Sequence, residues 1–80
     1  NVAAKTRSMY GGRASVPMVV RAMIGKSWGQ GAQHSQGLHS MFLHVPGIKV
    51  CAPSNPHDAK GCLVAAIRDT DPVLYVEHRM

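Results

Sequence analysis

The chain has 80 residues, enough for one small domain, and a formal charge of +5 at neutral pH. Its nine lysine and arginine residues are dispersed, and one Trp, two Tyr and one Phe accompany them, so the charge forms no stripe of the kind that binds nucleic acid. No apolar run approaches the roughly 18 residues of a membrane span, so we expect neither a membrane protein nor a nucleic-acid partner.

The amino-terminal part predicts a helix and a strand. Apolar residues at helical spacing predict a short helix over residues 1–10, which Gly11 and the glycine after it end. The compact apolar run at residues 16–20 predicts a parallel strand covered on both faces. Pro17 lies near its start, where a missing amide donor is tolerated.

The middle of the chain predicts a loop, a helix and a second strand. Residues 25–36 form a glycine-rich loop. Apolar residues at i, i+3, i+4 and i+7 spacing then predict an amphipathic helix over residues 35–44. Residues 48–52 read as a second, buried strand.

The next helix has a strong start signal. Asn55 can cap it, Pro56 suits its first position, and Asp58 places negative charge near the positive end of the helix. Its predicted core stripe consists of Ala59, Cys62, Leu63, Ala66 and Ile67. The chain has two cysteines, Cys62 on this helix and Cys51 on the second strand. Both are expected to act as small buried apolar residues.

The alternation of helices and strands predicts the fold class. Residues 69–72 form a turn that leads into a third strand at residues 73–76. This order is typical of right-handed βαβ units, so we predict an α/β fold with a parallel sheet and flanking helices, as a single partial domain over residues 1–80. Ligands bind beyond the carboxyl ends of such strands. The loop at residues 25–36 therefore lies at the functional edge, and the turn lies at the opposite edge.

His34 is the leading catalytic candidate. It lies in the glycine-rich loop just ahead of the predicted helix at residues 35–44, whose positive end would disfavour the imidazolium form. A neutral imidazole there could exchange a proton near pH 7. The alternative, from the residues alone, is a loop histidine bonded to backbone. His39 and His44 follow at five-residue intervals, which turn a helix by about 500°, so the three histidines do not share one face and a zinc site is not expected.

Asp69 and Asp71 pose a choice between a turn and a cation site. Two carboxylates with neighbouring carbonyl groups would suit a hard cation. One aspartate that bonds its own backbone would instead make an ordinary turn. Both interpretations stay open on the residues alone.

Several stretches together, in their order and spacing, resemble a known family. They are GAQHSQGLHSMFLHVPGIKV at 31–50, CAPSNPHDAKG at 51–61, AIRDTDPV at 66–73 and EHR at 77–79. The chain resembles the beta subunit of the thiamine diphosphate-dependent, decarboxylating first component of 2-oxoacid dehydrogenase complexes. The resemblance covers nearly all of the chain. It identifies the chain as an internal piece of a transketolase-like pyrimidine-binding domain.

The resemblance implies an enzyme subunit. In the complete protein, a 2-oxo acid would be oxidatively decarboxylated and its acyl unit passed to lipoyl groups, whereas the 80-residue chain alone is expected to be inactive. The implied cofactor is thiamine diphosphate, with magnesium held by the partner alpha subunit and the cofactor-binding residues upstream of Asn1. The implied partners are the alpha subunit, a second beta subunit and the lipoyl-bearing acyltransferase component. The implied location is the cytoplasm, or the mitochondrial matrix in a eukaryote.

The resemblance also assigns site residues. His34 falls in the family's Gln-His-Ser-Gln match, whose histidine lies in the active site and faces the reacting end of the cofactor. A structural potassium ion is implied, with oxygen ligands from Met18, Ala66, Ile67, Asp69 and Asp71. Asp71 departs from the commoner asparagine, which adds charge to that site. The competing interpretation is a truncated, non-catalytic α/β module for binding or assembly, for which the positive charge would allow nucleic acid as a ligand.

Overall fold

The computed structural model describes residues 1–26 and 28–80, so Ser27 of the predicted glycine-rich loop lies outside the described residues. The elements in chain order are α1 (Val2–Met9), β1 (Val19–Ile24), α2 (Gly31–His34), a 3-10 helix (Leu38–Phe42), β2 (Lys49–Cys51), α3 (Pro56–Arg68) and β3 (Val73–His78). None of the helices described is both long and apolar enough to cross a membrane.

The three strands form one parallel sheet with β3 in the middle, in the order β1-β3-β2. The register of β1 against β3 starts with Val19 opposite Val73, and β2 pairs along the other edge with Lys49 opposite Val73. The parallel pairing confirms the predicted α/β fold with flanking helices. The last strand of the chain is therefore the one that is covered on both edges.

The core is built around β3. The residues buried there are Val73, Leu74, Tyr75 and Val76, joined by Ala66 of α3. The Tyr75 hydroxyl donates a hydrogen bond of 2.9 Å to the Ala59 carbonyl of α3. Leu74 and Val76 alternate with Tyr75, so they lie on the opposite face of the sheet. A strand that is apolar at every position is what burial on both faces requires.

The strand predicted at residues 16–20 is displaced toward the carboxyl side. The Met18 amide donates to the Val16 carbonyl at 2.9 Å, so the chain turns at Pro17 before sheet pairing begins. The strand then continues through Arg21, the charged residue that follows the predicted apolar run. The guanidinium of Arg21 pairs with a carboxylate on β3 at 2.5 Å, which satisfies its charge within the sheet.

The helix predicted over residues 35–44 is wrong in type and extent. A single helical turn precedes it at Gly31–His34, and a 3-10 helix follows at Leu38–Phe42. Gly37, at φ −118° and ψ 80°, separates the two because a glycine there disfavours a continuous helix. Apolar side chains of this segment, such as Met41, remain exposed, so packing does not supply the stability that an amphipathic helix needs.

The helix predicted after Asn55 is confirmed. The Asn55 side-chain oxygen accepts a hydrogen bond of 2.8 Å from the amide of Asp58, and Pro56 occupies the first position. Within the predicted core stripe, Ala66 is buried and the earlier members are half-buried. Ile67 is instead 65% exposed, because it lies about 100° around the helix axis from Ala66.

Candidate functional site

A cavity of about 250 Å³ lies at the carboxyl ends of β1 and β3, which is the predicted functional edge of the sheet. We call it the His34 cavity. Its apolar wall includes Ile24, Leu38, Phe42, Leu74 and Val76. Its polar lining consists of Gln33, His34, Gln36, His39 and Arg79. The cavity therefore combines an apolar wall with imidazole, amide and guanidinium groups.

His34 lines this cavity as the last residue of α2. The prediction that it precedes a helix amino terminus is wrong, because it lies at the carboxyl end of a single helical turn. His34 therefore does not lie at the positive end of a helix, which was the expected reason for a neutral imidazole. The His34 side chain is exposed and makes no hydrogen bond to another described residue, so its ring nitrogens are available to a ligand. Its catalytic role stays a prediction.

The loop that carries His34 is anchored to the sheet at Gly25. The Gly25 amide donates to the Gln36 carbonyl at 2.9 Å, and the Gln36 side-chain amide donates to the Gln33 carbonyl at 3.1 Å. Gly25 has φ +87°, and the His78 ring lies where a Cβ atom would be. Only glycine combines this backbone conformation with so close an approach. The anchor fixes both ends of the segment that presents His34.

His39 and Arg79 line the same cavity, and the sequence analysis missed both. The helix predicted at residues 35–44 would have turned His39 away from His34, and the break at Gly37 removes that separation. The Nδ1 atom of His39 and the Nε atom of Arg79 are buried and, within the described part of the chain, have no hydrogen-bond partner. A buried polar atom that stays without a hydrogen-bond partner lowers the stability of the fold by about 1–3 kcal/mol. The one signal for Arg79 is its place directly after a parallel strand.

The turn of Asp69 and Asp71 lies at the opposite, amino-terminal edge. The Asp71 amide donates to the Asp69 carboxylate at 2.9 Å, which is the bond of an ordinary turn. Lys49 contacts the Asp69 carboxylate at 2.5 Å, and Arg7 contacts the Asp71 carboxylate at 2.7 Å. The hydrogen bond from Lys49, aided by the Asp71 amide, lowers the pKa of Asp69, and the bond to Asp69 raises the pKa of Lys49.

The predicted potassium ligands divide into two groups. The carboxylates of Asp69 and Asp71 are already neutralised by cationic side chains. The carbonyl of Met18 accepts from the Val73 amide at 2.9 Å, and that of Ala66 accepts from the Asp69 amide at 3.3 Å. A carbonyl oxygen keeps a second lone pair for a cation. These two carbonyl groups each keep a free lone pair, the two carboxylates already have cationic partners, and the potassium site stays a prediction.

The metal-ligating and thiol side chains outside the His34 cavity form no second site among the described residues. Within residues 1–26 and 28–80, no three side chains of His, Cys, Asp or Glu are grouped to hold a metal ion. Cys51 and Cys62 are free and half-buried on β2 and α3. Burial raises the pKa of the Cys51 thiol, and a hydrogen bond with Cys62 raises it further. The Cys51 thiol is therefore a poor nucleophile near neutral pH.

Comparison with known proteins gives a consistent result. Residues 1–80 match the family described as transketolase, pyrimidine binding domain. The chain is 54% identical over 79 residues to the acetoin:2,6-dichlorophenolindophenol oxidoreductase subunit beta of Cupriavidus necator, covering 99% of this chain and 23% of that protein. It is 49% identical over 80 residues to the mitochondrial pyruvate dehydrogenase E1 component subunit beta-2 of Oryza sativa, covering 100% of this chain and 21% of that protein. The chain thus spans less than a quarter of these relatives.

Proposed function

The chain belongs to the transketolase pyrimidine-binding domain family, and we propose that it is part of the beta subunit of a thiamine diphosphate-dependent dehydrogenase. The proposed reaction is the oxidative decarboxylation of a 2-oxo acid, with transfer of the acyl unit to a lipoyl group. One observation carries the proposal: His34 lines a partly apolar cavity at the carboxyl edge of the sheet, in a chain that matches such beta subunits along its length.

The cavity fits one side of the proposed cofactor. It supplies hydrogen-bonding groups and an apolar wall, but the residues described around it include no carboxylate to hold the pyrimidine. We therefore propose that this carboxylate and the other pyrimidine contacts are contributed by an earlier part of the subunit, and that the alpha subunit holds the diphosphate and magnesium. When bound, thiamine diphosphate supplies the carbon nucleophile that attacks the carbonyl group of the substrate.

His34 would act on the oxygen that gains charge in this reaction. Its imidazole can donate a hydrogen bond or a proton to that oxygen, and it can take the proton back as the product forms. The hydrogen bonds of Gln36 and Gly25 hold the loop in place, so His34 enters the reaction with little rearrangement. Leu74 and its neighbours form an apolar wall beside His34, and such a wall would strengthen this interaction once substrate and partner chains exclude water.

The surface supports the proposed partners. Large apolar side chains of α1 and the 3-10 helix are exposed, among them Val2 at 79%, Met9 at 73% and Met41 at 59%. We propose that the remainder of the subunit, the alpha subunit and a second beta subunit cover these residues. The lipoyl-bearing acyltransferase component would receive the acyl unit. The proposed location is the cytoplasm, or the mitochondrial matrix in a eukaryote.

A potassium ion is proposed at the amino-terminal edge, held by the carbonyl groups of Met18, Ala66 and Ile67. Lys49 and Arg7 already neutralise the carboxylates of the turn, so the ion is not needed to balance their charge. The ion would instead stabilise the fold by joining the carbonyl groups. An ion that binds only the folded state raises the melting temperature by mass action. The full subunit should therefore melt at a higher temperature in potassium chloride than in tetramethylammonium chloride. Equal melting temperatures would remove the ion from the proposal.

The decisive experiment uses the full-length beta subunit with its alpha partner, thiamine diphosphate and magnesium. Turnover of a 2-oxo acid is followed by bleaching of the dye 2,6-dichlorophenolindophenol. His34→Ala should lower turnover by about 10²–10⁴-fold, the usual contribution of a positioned acid or base. His57→Ala is the matched control, because His57 is exposed on α3 and lies outside the His34 cavity. Equal turnover in both variants would reduce His34 to a loop histidine.

The nucleic-acid module is not favoured. The two relatives named above, which match 99% and 100% of this chain, are an acetoin oxidoreductase subunit beta and a pyruvate dehydrogenase subunit beta. Three of the basic side chains, Arg7, Arg21 and Lys49, are engaged in ion pairs with carboxylates of the chain. These pairs reduce the positive charge that a nucleic-acid backbone would meet.

A further inference from the structure

Arg79 brings a positive charge into the His34 cavity, and no described residue supplies a counterion for it. Its backbone amide donates to the Ile24 carbonyl at 3.1 Å, which places the side chain directly beyond the carboxyl ends of β1 and β3. Its terminal nitrogen donates to the Gln30 side-chain oxygen, a neutral acceptor. Its Nε atom is buried and has no partner among the described residues. Arginine is charged at every accessible pH, and all of its nitrogens are donors.

Every carboxylate side chain of the described residues is engaged elsewhere. The chain contains four acidic side chains. The contacts join Asp69 to Lys49, Asp71 to Arg7, Glu77 to Arg21, and Asp58 to the side-chain amide of Asn55, which donates to it. The anion that Arg79 would pair with therefore comes from outside these residues. A planar guanidinium with free donors suits a carboxylate best.

The other residues of the cavity indicate which kind of molecule bears that carboxylate. Ile24, Leu38, Phe42 and Val76 give the cavity an apolar wall with room for a short hydrocarbon group. The buried Nδ1 atom of His39 lines the same space and also lacks a partner among the described residues. The combination of a guanidinium, an imidazole and an apolar wall matches a small molecule with a carboxylate, a neighbouring oxygen and an aliphatic tail.

We propose that Arg79 anchors the carboxylate of a short-chain aliphatic 2-oxo acid in the His34 cavity. Arg79 is then a specificity-determining residue: it favours anionic 2-oxo acids over neutral hydroxyketones of similar size. This inference rests on the proposed function, which supplies the reaction and hence the 2-oxo acid as substrate. The carboxylate site itself rests on the geometry of Arg79 and the cavity.

The test uses the full-length beta subunit assembled with its alpha partner and loaded with thiamine diphosphate and magnesium. The variants are Arg79→Gln, which removes the charge, and Arg79→Lys, which keeps it without the planar fork. Arg13→Gln is the matched control, because Arg13 is an exposed arginine outside the His34 cavity. The substrates are pyruvate, 3-methyl-2-oxobutanoate and the neutral hydroxyketone acetoin.

In Arg79→Gln, the KM for the 2-oxo acids should rise roughly 10–100-fold, the loss expected for a charged hydrogen bond. The kcat for 2-oxo acids and the KM for acetoin should stay within about twofold of the wild type, a margin small against that loss. Arg79→Lys should give a smaller rise in KM, and Arg13→Gln none. An equal change for acids and acetoin, or no change for the acids, would overturn the assignment.

A binding measurement separates this inference from the proposed function. Isothermal titration calorimetry on the same assemblies compares propanoate with propanamide, its uncharged isostere. The wild type should prefer propanoate, and Arg79→Gln should lose that preference. If the wild type turns over no 2-oxo acid, the proposed function fails while calorimetry still decides the role of Arg79. If Arg79→Gln folds but no longer assembles with the alpha subunit, the carboxylate belongs to the protein and the inference is wrong.

Discussion

Replacement of Gly25 by alanine should disturb the loop that carries His34 for two separable reasons. Gly25 has φ +87°, a backbone conformation in which an alanine costs roughly 1–2 kcal/mol. The new Cβ atom would also collide with the ring of His78. Overpacking of this kind typically costs about 1–3 kcal/mol, and the exposed His78 ring can move, so the lower half of that range applies. We expect a total loss of about 2–4 kcal/mol.

Gly29 supplies the matched control within the same loop. It has φ +67°, and a Cβ atom there would have no contact within 4 Å among the described residues. Gly29→Ala should therefore cost only the backbone contribution of roughly 1–2 kcal/mol. His78→Ala alone should change little, because its side chain is exposed. The double variant Gly25→Ala/His78→Ala should return to the level of Gly29→Ala, because the collision is gone and the backbone strain remains.

The assay is thermal unfolding of the full subunit with its alpha partner, together with turnover of a 2-oxo acid. One kcal/mol lowers the melting temperature by about 2–4 °C in a domain of 150–250 residues, so the two glycine variants should differ by several degrees. Turnover should fall in Gly25→Ala, because Gly25 holds the loop through its bond to Gln36. Equal melting temperatures for Gly25→Ala and Gly29→Ala, or no recovery in the double variant, would refute the steric argument.

Three further predictions concern the core, the turn and the thiols. Leu74→Ala, at a buried position of β3, should destabilise the full subunit by about 2–5 kcal/mol in thermal unfolding, and a loss under 1 kcal/mol would contradict its place in the core. The lowered pKa of Asp69 means that its pairing with Lys49 stabilises the fold above the ordinary value of 3.8 and is lost as the pH falls through the lowered value. Asp69→Asn should therefore flatten the melting-temperature profile in acid, and an unchanged acid profile would count against the pairing. The raised pKa of Cys51 predicts slower alkylation by iodoacetamide at pH 7.5 in the folded protein than in urea, and equal rates would show that burial does not protect the thiol.

Local patterns in the sequence determined much of the fold. Asn55, Pro56 and the apolar stripe that follows them predicted α3, because capping and helical spacing depend on residues within a few positions of each other. The apolar run at residues 73–76 predicted β3 as a strand. The coverage on both faces that was predicted for residues 16–20 is found at β3 instead, because β3 lies in the middle of the sheet. The alternation of elements predicted parallel pairing, and with it the edge of the sheet where His34 lies.

The tertiary structure alone decided how these elements combine into a site. The order β1-β3-β2 arises from pairing between segments about 50 residues apart for β1 and β3 and about 25 residues apart for β2 and β3, which no local pattern encodes. The same pairing brings Arg79 beside His34 and His39, and it closes the Lys49 and Arg7 ion pairs around the Asp69 turn. The sequence by itself determined the order of helices and strands, except at residues 35–44, where the predicted amphipathic helix does not form. Which side chains meet in the cavity depended on long-range packing.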